Sequence, residues 1–434
     1  MANQANGGGN ATTDQFYPGA EGATQNFSNF IADAKYEDIP PQAITKLLDL
    51  IIDHIGVGDG GGAQSDILKA VEAFSEGCAG ESTVYGKTKT YPKHIAALLN
   101  GAFAHSFDFD DTLAIGIIHP GASVIPAALA QAEASNASGR QLLTGLSVGY
   151  EIKGLTGEQV YNAFGLAGSK AAGSMQFLDN GSWNKRLHPG FAAHDAFLCV
   201  ALAEAGVTGA SHAIEGKWGF LQAYSTKSKA AGLTEDLGSE WLFAATAMKP
   251  FPACRFTHTA IEITARVAAE AKSGELPQKI TVWVNPSGYD IIGRPSPNKL
   301  HPETIVDAQF SMYYQVAVAW LFGSEAGWSV YDSEKMKDKK VAELCDRVEV
   351  VTDDSFKEEF EVRMSFQGVD GGAAREEALV YPLGEVEHPF SRENVSDKFW
   401  GLVQPVYDQQ RAENILKAVD NLSKSSAAEL LKFL

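Results

Sequence analysis

His105, Asp108, Asp110, Asp111, Thr112 and His119 crowd into one stretch, AHSFDFDDTLAIGIIHPGASVIPAAL, that starts at Ala104 and is otherwise apolar or small. Ionisable groups set into apolar sequence are where perturbed pKa values and acid–base chemistry concentrate. If a helix runs from Asn100 to Asp111, Asp108 and Asp111 share a face with His105 at spacings of three, and Asp110 points elsewhere. Two carboxylates and an imidazole then converge. A solvated helix end with capping aspartates would use the same residues. His119 precedes Pro120 at the expected start of the helix ASVIPAALAQAEA, where free N–H groups favour an anion and an imidazole can exchange a proton with it. A plain helix-entry histidine is the alternative.

Two basic segments complete the inventory. WNKRLHPG places Lys185, Arg186 and His188 before an expected Pro-Gly turn, a donor cluster able to clamp carboxylates or simply a charged loop. MKPFPACRFTHTAIE holds Lys249, Arg255 and His258 around two prolines, which fix the backbone and suit binding more than solvation. Cys254 in that run is either a thiol activated by cations or a buried one.

The elements that position these residues are mostly helical. From about 25 to 273 the apolar spacing has helical period, in KLLDLIIDHIGVGDGGG, HIAALLNGAFAHSFDF, GRQLLTGLSVGYEI, FAAHDAFLCVALAEAG and HTAIEITARVAAEAK. The glycine cluster after Ile55 is expected to end the first of these. The abundance of Ala and Gly predicts an all-α domain with close helix packing. Between 275 and 390 the runs KITVWV, RVEVV, EEFEVRMSF and EEALVY read as strands, interrupted by one helix, DAQFSMYYQVAVAWLFG, which predicts a smaller α+β domain. The tail from 391 to 434 returns to helical period and packs on the first domain or completes the second.

With 54 acidic against 35 basic side chains the chain of 434 residues carries a formal charge of −19, which repels nucleic acid and anionic membranes. Any anionic substrate needs a local basic cluster. The four cysteines are too scattered for a zinc or iron–sulfur set and fit a reduced, intracellular and most simply cytoplasmic compartment, a mitochondrial address being left open. Residues 1–24 lack a signal-peptide pattern and read as a disordered leader.

In order along the chain, LLDLIIDHIGVG, NGAFAHSFDFDDT, HPGASVIPAALAQAEASNASGRQLLTGLSVGYE, GLTGEQVYNAFGLAGS, NKRLHPGFAAHDA, KPFPACRFTHTAIE, RPSPN and DAQFSMYYQVAVAWLFG resemble landmarks of the 2-methylcitrate dehydratase family, labelled MmgE/PrpD, which includes cis-aconitate decarboxylases and fungal alkylcitrate dehydratases. The resemblance implies a large helical domain completed by the C-terminal tail, a smaller α+β domain, a homodimer, and catalysis without metal or organic cofactor. It matches catalytic positions to Asp108, Thr112, His119, Lys185 and Lys249, with Arg186, His188, Arg255 and His258 as substrate-binding candidates. The implied activity is dehydration of 2-methylcitrate or a longer 2-alkylcitrate, as in fungal secondary metabolism. Decarboxylation of a cis-aconitate-like acid could use the same parts, since it also builds charge beside a carboxylate. Lys185 and Lys249 would neutralise substrate carboxylates, and His119 and Asp108 are candidates for the acid–base pair.

The sequence departs from the family in two places. The spacing from Thr112 to His119 is slightly longer than in the decarboxylase branch. Glu151-Ile152-Lys153 also runs straight into Gly154, where relatives insert a segment that supplies a further active-site histidine. That gap leaves open an inactive family member surviving as a binding or scaffold protein. DFDDT also fits the acid motif of protonation-initiated terpene cyclases, a reading in which the lysines and the HPG run have no role.

Overall fold

The computed structural model describes residues 17 to 434 apart from 18, 63–64, 75, 150–153, 226–231, 272–275 and 370–372. Its longer helices are α1 (Ala23–Asp33), α2 (Pro41–Ile55), α3 (Lys93–Ser106), α4 (Gly121–Ser135), α5 (Gly139–Val148), α6 (Gly157–Ala167), α7 (Asn184–Glu204), α8 (His258–Glu270), α9 (Met312–Phe322), α10 (Arg392–Val403) and α11 (Gln409–Asp420). Four strands, β1 (Lys279–Val284), β2 (Val348–Thr352), β3 (Val362–Gln367) and β4 (Arg375–Leu379), form one sheet in the order β2-β1-β3-β4. The β1–β2 pair is parallel and the other two pairs are antiparallel. The fold is mainly α with a smaller α+β part.

The first core gathers Ile51 and Ile55 of α2, Leu99 and Phe103 of α3, Leu129 of α4, Phe399 of α10 and Ile415 of α11. The tail therefore packs into the helical part. Small residues set the closest approach. A Cβ on Gly101 of α3 would lie 3.0 Å from the Gly190 Cα of α7, and one on Gly190 would lie 2.3 Å from the Leu98 oxygen. This contact locks together the two helices that carry His105 and Lys185.

Three local expectations are corrected. The glycine cluster does not end α2: Gly56–Gly60 continue it as a wider π-turn, because α10 presses in so closely that a Cβ on Gly60 would lie 2.5 Å from the Leu402 oxygen. His188-Pro189-Gly190 forms no turn either, but lies inside α7, where Gly190 serves helix approach. Thirdly, α3 stops at Ser106, before the aspartates.

The second core joins Ile280 and Val282 of β1, Met364 and Phe366 of β3 and the buried α9 with Ala260, Ile263 and Val267 of α8. Thus α8, which composition groups with the helical domain, packs with the sheet. Among the described residues no helix is long and apolar enough to cross a membrane. All four cysteines are free.

Candidate active site

Past Ser106 the chain turns through Asp108, whose φ of 49° puts a non-glycine residue in the left-handed region. The helical face expected to unite Asp108 with Asp111 therefore does not exist. Asp108 and Asp110 converge on His105, and Asp111 turns away to accept the Gly121 N–H at 3.0 and 3.1 Å. That N–H opens α4, so the carboxyl sits at a helix N-terminus.

Asp108 is the hub. Its Oδ1 accepts from Lys185 Nζ at 2.6 Å and from Lys249 Nζ at 3.0 Å, and Lys249 also donates to its backbone oxygen at 2.8 Å. Burial pushes the Asp108 carboxyl up, but the two ammonium groups outweigh it and hold it well below the usual range. Asp108 is thus a fixed carboxylate that places two lysines, and it has no proton to donate near neutrality. His105 donates from Nδ1 to Asp110 Oδ2 at 2.7 Å, which leaves Nε2 to accept from Lys185 at 3.0 Å. Asp110 is pushed up by burial, yet His105, His119 and Lys249 keep it ionised.

His119 has a different arrangement. Its Nδ1 donates to the Asp111 backbone oxygen at 2.8 Å and lies 3.5 Å from Asp110, while its Nε2 makes no hydrogen bond among the described residues. The side chain is 21% exposed and lines a cavity of about 320 Å³. Burial and the nearby lysines lower His119 well below its ordinary value despite Asp110, so it waits as a neutral imidazole. Desolvation likewise lowers His105. Asp108 Oδ2, Asp110 Oδ1 and Thr112 Oγ1 are buried without hydrogen-bond partners among the described residues.

The cavity lies between the two parts of the chain. The helical part contributes Asp108, Thr112, His119, Lys185 and His188, and the second part contributes Arg255, Phe256, Ile291, Phe310 and Phe360. Lys249 is delivered by the bridge that pairs Thr112 with Ala247. Arg255 pairs with Glu385, and its Nη1 donates to His258 Nδ1 at 2.9 Å. His258 is fully buried behind it, donating from Nε2 to the Ala253 oxygen at 3.0 Å. Arg186 turns out of the site to Asp66. Burial pushes Cys254 up to about 11, so it remains a thiol.

Sequence reasoning missed Lys398 and Asp53. From α10, Lys398 forms an ion pair with Asp53 Oδ1 at 2.6 Å and donates to the Phe109 oxygen at 2.7 Å, gripping the peptide that leads into Asp110. A signal was present, since Lys398 shares a helix face with buried Val395, Phe399 and Leu402, where a lone cation needs a partner.

The ligand atoms of His105, Asp108, Asp110 and His119 lie within 4.8 Å of one another, a spacing close enough for a metal ion. The site does not suit one. His105 engages both nitrogens, and a divalent cation would enter against the Lys185 and Lys249 charges.

A family model described as the MmgE/PrpD C-terminal domain matches residues 251–424, and the MmgE/PrpD N-terminal domain matches in two pieces, 25–157 and 152–232. The chain is 25% identical to the cis-aconitate decarboxylase of Mus musculus over 457 residues, covering 92% of this chain and 90% of that protein. It is 24% identical to a cis-aconitate decarboxylase of Aspergillus terreus over 473 residues, covering 93% and 94%. Against the cis-aconitate decarboxylase-like protein oryM of Aspergillus oryzae the identity is 22% over 476 residues, covering 94% and 96%. Each alignment is longer than the 434 residues of the chain, so gaps open on this side. The two pieces of the N-terminal match overlap at 152–157, at the Lys153–Gly154 junction; residues 150–153 lie outside the described ones.

Proposed function

The chain belongs to the MmgE/PrpD family, and from that premise we propose that it is a lyase for citrate-like tricarboxylic acids, acting without metal or organic cofactor. The observation that carries the proposal is the free Nε2 of a neutral His119, facing a cavity that also holds the lysines bound to Asp108. A neutral imidazole can take the proton from the carbon beside a carboxylate. Lys185 and Lys249 offset the charge that then develops on that carboxylate. In dehydration the carbon–oxygen bond breaks, and the leaving hydroxyl takes a proton from the Lys185 ammonium to depart as water. Asp108 acts as the anchor of both lysines.

The substrate we favour is a 2-alkylcitrate. Ile117, Ile118, Met175, Phe256, Ile291 and Phe360 line the same cavity as the polar cluster, and an alkyl substituent gives them something to bury. The second reading is decarboxylation of a cis-aconitate-like acid, supported by the names of the relatives. There the carbon–carboxyl bond breaks, carbon dioxide leaves, and a protonated His119 returns a proton to carbon. We extend the proposal to an intracellular homodimer, to be checked by light scattering.

Incubation of the purified protein with 2-methylcitrate, longer 2-alkylcitrates and cis-aconitate tests the choice. Loss of water from the alkylcitrates is expected. Consumption of cis-aconitate alone, with carbon dioxide release, selects the second reading. Binding of all three without turnover selects the scaffold reading.

A further inference from the structure

Behind the catalytic loop lies a second cavity of about 330 Å³, walled by apolar side chains that include Phe30, Ile51 and Leu146. Polar residues break this lining: Asp111, Thr246 and Trp241, together with Ser147, whose hydroxyl donates to the Thr144 oxygen, and the exposed Glu240. Thr246 is 1% exposed, and both Thr246 Oγ1 and Trp241 Nε1 are buried without a hydrogen-bond partner among the described residues. Leaving such groups unpaired is unfavourable, because each has given up its water without gaining a partner. An apolar cavity with a few convergent polar groups is the usual form of a small-molecule site.

We propose that this cavity binds a neutral apolar molecule bearing one carbonyl or hydroxyl oxygen, which accepts hydrogen bonds from Thr246 and Trp241. The charges around Asp111 select a neutral head. Asp53 and Asp110 act on it electrostatically from the protein side, opposed by Lys46, and they disfavour an anionic ligand. Burial and these two aspartates raise Asp111 to about 8, so at neutral pH it is mostly an uncharged acid that adds a third donor. The site is separate from the tricarboxylate cavity but touches it through one residue: the backbone oxygen of Asp111 holds His119 Nδ1.

Acetophenone and ethylbenzene test the proposal, being nearly equal in shape and differing in the carbonyl. Calorimetry at pH 7 should find acetophenone bound about tenfold more tightly, the worth of a well-made hydrogen bond to a buried donor. Benzoate should bind more weakly than acetophenone, and saturating citrate should not displace the ketone. Thr246→Val and Trp241→Phe should each cut the preference at least threefold while ethylbenzene still binds, which shows that the cavity persists. Equal affinity for the two probes, tighter binding of benzoate, displacement by citrate, or a preference unchanged in both variants would overturn the assignment.

Discussion

Lys249 grips Asp108 twice, through its carboxylate at 3.0 Å and through its backbone oxygen at 2.8 Å. It is fully buried, so it fixes both the charge and the left-handed turn of that residue. Lys185 holds only the carboxylate, from a more open position. The two lysines therefore fail differently. Lys249→Met should cost about 3–5 kcal/mol of stability, the usual result of removing one partner of a buried pair, together with the activity. Lys185→Met leaves Asp108 paired and should lower kcat by about 10²–10³ with a smaller stability loss. Urea unfolding and turnover measured side by side check the split.

Turnover should depend on a neutral His119. Burial first, and then the nearby lysines, hold its imidazole well below its ordinary value despite Asp110, so the base is already free of its proton. The kcat for an alkylcitrate should therefore stay level as pH falls through the ordinary histidine range, about 6.5. His119→Asn should lose about 10²–10⁴ in turnover. Turnover unaltered by that substitution would remove His119 from the mechanism.

The Lys398 and Asp53 pair makes no contact with the cavity, so its effect is one of positioning. Lys398→Met strands a buried carboxylate and releases the Phe109 peptide, and should destabilise by about 3–5 kcal/mol. Adding Asp53→Asn should recover much of that stability by removing the stranded charge. Turnover should stay depressed in the double variant, because the grip on Phe109 is still lost. Full recovery of kcat would make the pair purely structural.

Asp111 should make the protein sensitive to alkali. Burial, then Asp110 and Asp53, raise it from 3.8 to about 8, so the folded state binds its proton more tightly than the unfolded chain. The associated stability is complete below about 3.8, falls as pH rises, and is gone above about 8. Asp59, raised by burial to about 7, loses its share over an overlapping window. Asp111→Asn should flatten the decline of Tm between pH 4 and 8 without abolishing it, and the double variant with Asp59→Asn should be flatter still. Scanning calorimetry across that range decides.

The helices, the strands and the clustering of Asp108, His119, Lys185 and Lys249 were legible because each rests on local pattern or on an ordered set of motifs. The exchange of Asp111 for Asp110 was not. It depends on Asp108 adopting positive φ, which no local signal demands of an aspartate and which Lys249 enforces from far along the chain. The same holds for the π-turn at Gly56–Gly60: glycines that read as a helix stop are space for α10. Arg186 shows the converse error of proximity, since a place beside Lys185 on a helix points its side chain to Asp66.

Lys398 reaches back 289 residues to hold the Phe109 oxygen. During synthesis the proposed catalytic loop therefore emerges long before its clamp, and a nascent chain stalled ahead of α10 carries every expected catalytic side chain in an unfinished arrangement. Maturation of the site is tied to the last part of translation, so an early stop codon in the tail would silence the enzyme while leaving all of its reactive residues in place.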